Sequence, residues 1–266
     1  MNFDWYGATV EAQPEEVLGD ITRQFDLVSP YPSRGMWGFE RAVEIKRGDT
    51  VMATVMWEGH DSSGTGGCYV QGTGRHAMPI AAFLRTRRYP HRVSRVDVAE
   101  DYTGDGTWDR LSTLTLAVAD THQVKVEHAG DWHRGEAGRT IYLGGRESVV
   151  RECVYEKGKQ LGTDPNHVRM ELRVRPKGPG KAIASRASPL DLYGSSRWSR
   201  DLAERLGKPD VARLSVGTVY REDDAIRARQ WMLRQYGTVL CGLEAELGSW
   251  PEVGAWIGAE LSKPSA

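Results

Sequence analysis

The sequence is short of cysteine, of long apolar runs and of closely spaced histidines, and each shortage removes a class of protein. Its three cysteines, Cys68, Cys153 and Cys241, stand far apart with no CxxC pair. That argues against a zinc knuckle or a disulfide framework and leaves reduced, structural thiols. No stretch approaches the roughly 20 apolar residues of a membrane span. The opening MNFDWYGATVEAQPEE has no basic segment followed by an apolar one, so no secretory leader is expected and a cytoplasmic address follows. The seven histidines, at positions 60, 76, 91, 122, 128, 133 and 167, never occur two apart, which weakens a metal site built on a His pair. Net charge is −1, so any affinity for nucleic acid must come from where the charges lie rather than from their sum.

What is present is 266 residues, enough for one large or two modest domains with a real core. FDWYGATV reads as a strand, and PEEVLGDITRQFDLV places Val17, Leu18, Ile21, Phe25 and Val28 at helical spacing after Pro14. WGFERAVEIKRGDTVMATVMWEG reads as a hairpin about its RGD turn, GCYVQGTG as a strand and HAMPIAAFLRTRR as a short helix. RVDVAED is a strand, WDRLSTLTLAVADTH a helix, and QVKVEHAG, RTIYLGG, VVRECVYEK and HVRMELRVRP are further strands. The order predicts an α+β fold, an antiparallel sheet with flanking helices. The Gly, Pro and Lys of RPKGPGKAIASRASP mark a linker over 176–189. A domain over 1–176 and a small helical C-terminal unit over 190–266 are therefore expected.

Four stretches carry groups able to do chemistry. In RVDVAED, strand alternation puts Arg95, Asp97, Ala99 and Asp101 on one face, and a buried carboxylate needs a cation, a hydrogen-bond network or water. In RECVYEKGKQ the same alternation puts Cys153, Tyr155 and Lys157 together; a tyrosine, with a pKa of about 10, is a poor nucleophile unless a cation lowers the cost of its phenolate. In VRMELRVRP, Glu171 is flanked by Arg169, Arg173 and Arg175, which suits either an ion-pair ladder or a metal ligand beside phosphate-binding cations. RTRRYPHRVSR collects Arg85, Arg87, Arg88, Arg92 and Arg95 around Tyr89 and His91, which suits either a phosphate-tracking, DNA-binding surface or a solvated charge run on a helix end and loop. A fifth stretch, DYTGDGTWD, imitates a calcium loop but has Thr103 and Ser112 where ligands belong, and reads better as a Gly-rich turn.

Taken in order, RVDVAED, IYLGGRESVVRECVYEKGKQ and RMELRVRP resemble the replication-initiation-factor family, the rolling-circle initiators of plasmids and filamentous phages with related relaxases. Weaker likeness extends over residues 1–176. The resemblance implies a nicking domain of the general architecture of His-hydrophobic-His endonucleases, with carboxylates taking over metal binding. It implies Tyr155 as nucleophile, Lys157 and Arg169 as its electrostatic partners, and Asp97, Glu171 and Asp101 as ligands of Mg²⁺ or Mn²⁺. The implied partners are single-stranded or hairpin DNA at a replication origin and the host helicase and polymerase, with no membrane. A conjugative relaxase and a non-catalytic origin-binding protein remain alternative readings, and a second tyrosine near Tyr155 is missing.

Overall fold

The computed structural model describes residues 1–26, 28–59, 67–87, 89–217 and 224–262. The chain divides into two compact units, residues 1–219 and 220–266. In chain order the first holds β1 (Asn2–Val10), α1 (Pro14–Gln24), β2 (Ser29–Arg34), β3 (Phe39–Arg47), β4 (Thr50–Gly59), β5 (Cys68–Thr73), α2 (Ala77–Thr86), β6 (His91–Tyr102) and α3 (Thr107–His122). It continues with β7 (Val126–Gly130), β8 (Arg139–Leu143), β9 (Val150–Tyr155), α4 (Lys157–Leu161), β10 (Val168–Val174), α5 (Gly180–Ala184) and α6 (Arg197–Arg205).

The ten strands form one sheet in the order β2-β3-β4-β5-β1-β6-β10-β9-β8-β7, every neighbouring pair antiparallel. β1 and β6 lie at its centre, and β10 joins them by pairing with β6. Alternation then assigns the faces. On the back face Val96 and Val98 of β6, Met170 and Leu172 of β10 and Val154 of β9 are wholly buried, together with Val17 and Ile21 of α1, Ile80 and Leu84 of α2 and Leu111 of α3. That single core, at about 1.5–3 kcal/mol for each large apolar side chain buried, holds sheet and helices together. The front face carries the charged row.

Two expectations are corrected. Lys157 does not continue β9: the strand stops at Tyr155, Glu156 caps the turn, and Lys157 opens α4. Residues 176–189 are no linker between domains, because α5 packs on β6, and Ala184, Leu192, Tyr193 and Leu202 enter the main core. The first unit therefore runs past the expected boundary at 176. The Gly-rich stretch after β6 is a turn, with Gly104 and Gly106 at φ 106° and 71°, values that favour glycine. In the second unit α7 (Asp224–Leu247) and α8 (Trp250–Leu261) pack on each other across a turn at Gly248.

Candidate active site

Register brings the chemistry to the front face of three adjacent strands. Arg169 of β10 stands opposite Asp101 of β6 and Tyr155 of β9. Two residues on, Glu171 pairs with Ala99 and Cys153, and Arg173 with Asp97 and Arg151. Residues from 97 to 171 thus meet because antiparallel pairing places them there.

Tyr155 is the centre of the cluster. Its hydroxyl donates to Glu171 Oε2 at 3.3 Å, and Glu171 Oε1 accepts from Arg173 Nε at 2.8 Å. Lys157, although on α4, holds its Nζ 5.5 Å from the Tyr155 ring centroid. Burial, then the Glu171 charge, pushes the Tyr155 phenol well above its ordinary pKa, with Arg169 acting against them. The resting side chain is therefore a neutral phenol, and a group that accepts its proton is already in place.

Asp97 is 1% exposed. Its two oxygens accept from Arg95 Nε at 3.0 and 3.1 Å, and Arg173 Nε stands 4.0 Å away. Burial raises its pKa and the Glu171 carboxylate adds to the rise, against Arg95. Asp101 is different: at the rim, with a side chain 43% exposed, it takes a two-pronged bond from Arg169, both contacts at 2.8 Å, and a third from His167 at 2.7 Å. Desolvation raises its pKa, but Arg169 and His167 outweigh it and hold the carboxyl low.

Asp4 belongs to the same cluster and was missed from sequence. A register irregularity between Phe3 and Trp5 turns it toward Arg169 Nη1, 3.1 Å away. Its pKa is raised, first by burial and also by Glu171 and Asp101. Nothing in FDWYG announces a bulge.

The donor chemistry tests the implied metal. Among the described residues no group of three His, Cys, Asp or Glu side chains is placed to hold an ion. Asp101 is engaged by Arg169 and His167. Asp97 is likewise engaged, by Arg95, and Glu171 by Arg173 and Tyr155; these two buried carboxylates share Arg173. Two carboxylates are the hard-oxygen donors that Mg²⁺ would take, and Arg95 and Arg173 would have to release them for it to bind.

The arginines expected to line up for DNA do not form one surface. Arg85 reaches the carbonyls of Ser185 and Ala187 at 2.8 and 2.9 Å and covers the rings of Phe3 and Tyr6. Arg87 turns to Gln24 and Asp20 on α1, and Arg92 pairs with Glu11 at 3.5 Å. Arg88 lies outside the described residues. Arg95 alone of the described members reaches the cluster. A cavity of about 610 Å³ lined by Arg85, His91, Arg92 and Arg186 opens beside α2 and α5, and neither Tyr155, Asp97 nor Glu171 lines it. The candidate site lies instead on a sheet face, where a polymer can cross.

Residues 91–183 match the family model described as replication initiation factor. The segment runs from the start of β6 into α5 and includes Asp97, Asp101, Tyr155, Lys157, Arg169 and Glu171. Among solved structures the chain is similar to a rolling circle replication initiator protein from Geobacillus stearothermophilus. Identity is 19% and the TM-score 0.54, over 80% of this chain and 98% of that one. No curated protein sequence matches. The family resemblance and the α+β fold with an antiparallel sheet, both read from the sequence, are borne out. No helix among the described residues is long and apolar enough to cross a membrane.

Proposed function

We propose that this chain, whose residues 91–183 carry the replication initiation factor match, starts rolling-circle replication by nicking one strand of an origin. In this reading Tyr155 Oη attacks a phosphodiester phosphorus. The new bond is Oη–P, the broken bond is P–O3′, and the phenolic proton passes to Glu171. The products are a 5′-phosphotyrosine and a free 3′-hydroxyl, which takes its proton from solvent and primes synthesis. Reversal of the same exchange religates the strand.

The observation that carries the reading is the hydrogen bond from Tyr155 to Glu171, 3.3 Å long, on a face where Arg169 and Lys157 also meet the tyrosine. Arg169 opposes the rise in the phenol's pKa, so its cation favours the charge that develops on oxygen and phosphate in the transition state. Asp101, by its two-pronged bond, fixes the plane of that guanidinium. Asp97 and Glu171 are the proposed holders of Mg²⁺ or Mn²⁺, which when bound polarises a phosphoryl oxygen. Single-stranded or hairpin origin DNA is the proposed substrate, and the host helicase and polymerase take over the primed end.

The test uses labelled single-stranded oligonucleotides from the protein's own replicon, with Mn²⁺ or EDTA, read on a denaturing protein gel. A metal-dependent covalent adduct in the wild type that is lost in Tyr155→Phe is the expected result. An adduct that persists in the variant reassigns the nucleophile. Binding without adduct on every origin fragment favours a non-catalytic origin-binding protein.

A further inference from the structure

A second cluster of side chains sits on the front face, toward β2. Trp5 of β1 pairs across the sheet with Asp97, and the Arg95 guanidinium lies 4.3 Å from the Trp5 ring centroid. Trp37, in the turn between β2 and β3, stands 6.0 Å from Trp5 and 6.0 Å, edge-on, from Tyr69 of β5. Phe39 stacks on Tyr69 at 5.8 Å. Beneath them Ala42 and Met56 complete a small apolar cluster separate from the main core.

Two features show that the cluster is built rather than incidental. A Cβ on Gly7 would lie 1.9 Å from the Tyr69 hydroxyl oxygen and 3.1 Å from Trp5 Nε1, so this glycine lets Tyr69 lie across β1 beside Trp5. Trp37 has φ 55°, a left-handed conformation that is strained for a bulky residue. Yet the residue stays 61% exposed. Burial does not repay that strain; the fold holds a flat aromatic surface out to solvent.

We propose that Trp37, supported by Trp5, Tyr69 and Phe39, is a stacking platform for bases of single-stranded DNA that runs across the sheet to Tyr155. The proposal deepens the nicking reading and rests on it for the strand's path. Two observations commit it to single-stranded DNA. The platform is continuous with the candidate site: Trp5 meets Arg95, Arg95 meets Asp97, Asp97 and Glu171 share Arg173, and Glu171 meets Tyr155. Three strand spacings separate β1 from β9, roughly 14 Å, a span that an extended strand can bridge. The chemistry is also complementary, since rings take bases while Arg95 and Arg169 offer cations to the phosphates between. Duplex DNA hides its base faces and cannot use such a platform.

Tyr155→Phe protein, which needs no cleavage to be informative, is titrated with a fluorescein-labelled oligodeoxythymidine of about twenty nucleotides, because stacking tolerates any sequence. The same backbone without bases, and a duplex of equal length, serve as references. Trp37→Ala is expected to weaken binding of the thymidine strand roughly 5- to 150-fold, to leave the abasic and duplex probes within about twofold, and to keep the salt slope. Trp37→Phe restores most of the loss. Unchanged affinity in Trp37→Ala, or an equal loss on all three probes, overturns the platform. Should Trp37→Ala fail to fold, photocrosslinking of unsubstituted protein to a 5-iododeoxyuridine strand decides. Adducts on the peptides holding Trp37 or Trp5 support the platform, and adducts confined elsewhere refute it. None of these readouts depends on a nick, so loss of the platform and loss of the nuclease reading are separate results.

Discussion

Glu156→Gln tests whether the end of β9, and with it Tyr155, is clamped by charge. The Glu156 side chain is 2% exposed and accepts four contacts. Arg139 supplies its backbone N–H at 2.8 Å, Nε at 2.9 Å and Nη2 at 2.9 Å, and Lys159 supplies Nζ at 2.7 Å. The amide keeps the shape but replaces one oxygen with a donor facing donors. Breaking a buried pair from one side costs about 3–5 kcal/mol. Arg139 and Lys159 are 27% and 22% exposed, so water takes up part of the loss and about 2–3 kcal/mol is expected. For a unit of this size that lowers Tm by roughly 5–10 °C. Desolvation raises the Glu156 pKa, but Arg139 and Lys159 outweigh it and hold the carboxyl low. A depressed carboxylate stabilises above its unfolded pKa and loses that contribution as pH falls. The gap between wild type and variant, followed by circular dichroism, should therefore be full at neutral pH and narrow steadily below about pH 4.3. A gap under about 1 °C at neutral pH, or one that does not narrow in acid, would refute the clamp.

Other perturbations probe the remaining groups. Glu171→Gln removes the proposed proton acceptor, which is also one of the two proposed metal holders, and should slow adduct formation by at least about 10²–10⁴ in single-turnover assays while leaving oligonucleotide affinity measured in EDTA nearly unchanged; an equal fall in affinity would mean that Glu171 only shapes the face. Glu152 on the back face is wholly buried, and burial, reinforced by Glu171, pushes its carboxyl well above the ordinary range. Because its folded pKa lies above the unfolded one, stability is fullest below the unfolded pKa and declines as pH rises. Urea midpoints measured from pH 5 to 8 should fall in the wild type and stay flatter in Glu152→Gln. Gly7→Ala drives a methyl into Tyr69 and should cost about 1–3 kcal/mol in urea unfolding; Tyr69→Phe on the same chain relieves part of it, and no relief would show that the clash lies elsewhere.

The central strands were legible because their signal is local. RVDVAED and VRMELRVRP alternate strictly, so the face each side chain shares within its strand followed from period two, and the pairing of the two strands, which only the structure gives, brings Asp97, Asp101, Arg169 and Glu171 onto one face. β2 was not legible: SPYPSR carries two prolines, which ordinarily argue against a strand. Lys157 was misplaced because nothing in VYEKGKQ says where pairing stops, and the end is set by Glu156 meeting Arg139 from another strand. The dispersal of the Arg85–Arg95 segment has the same cause. A helix end, a turn and a strand face different directions, and cations adjacent in sequence are sent to three surroundings. Asp4 depended on a bulge, which is a property of the pairing with β6 and not of β1 alone.

β2 pairs with β3 from Ser29 to Arg34, with Pro30 opposite Ile45 and Pro32 opposite Val43. Successive backbone N–H groups point to opposite sides of a strand, so the donors that serve β3 come from Ser29, Tyr31 and Ser33. Of the three outward positions, Pro30, Pro32 and Arg34, the two prolines have no hydrogen to give. A further strand approaching this border finds carbonyls but no donors at both places. The border strand β2 therefore offers an incoming backbone only the Arg34 N–H, and the long β surface that this chain spreads beneath its candidate site is guarded at that border against growing by annexing another molecule's backbone.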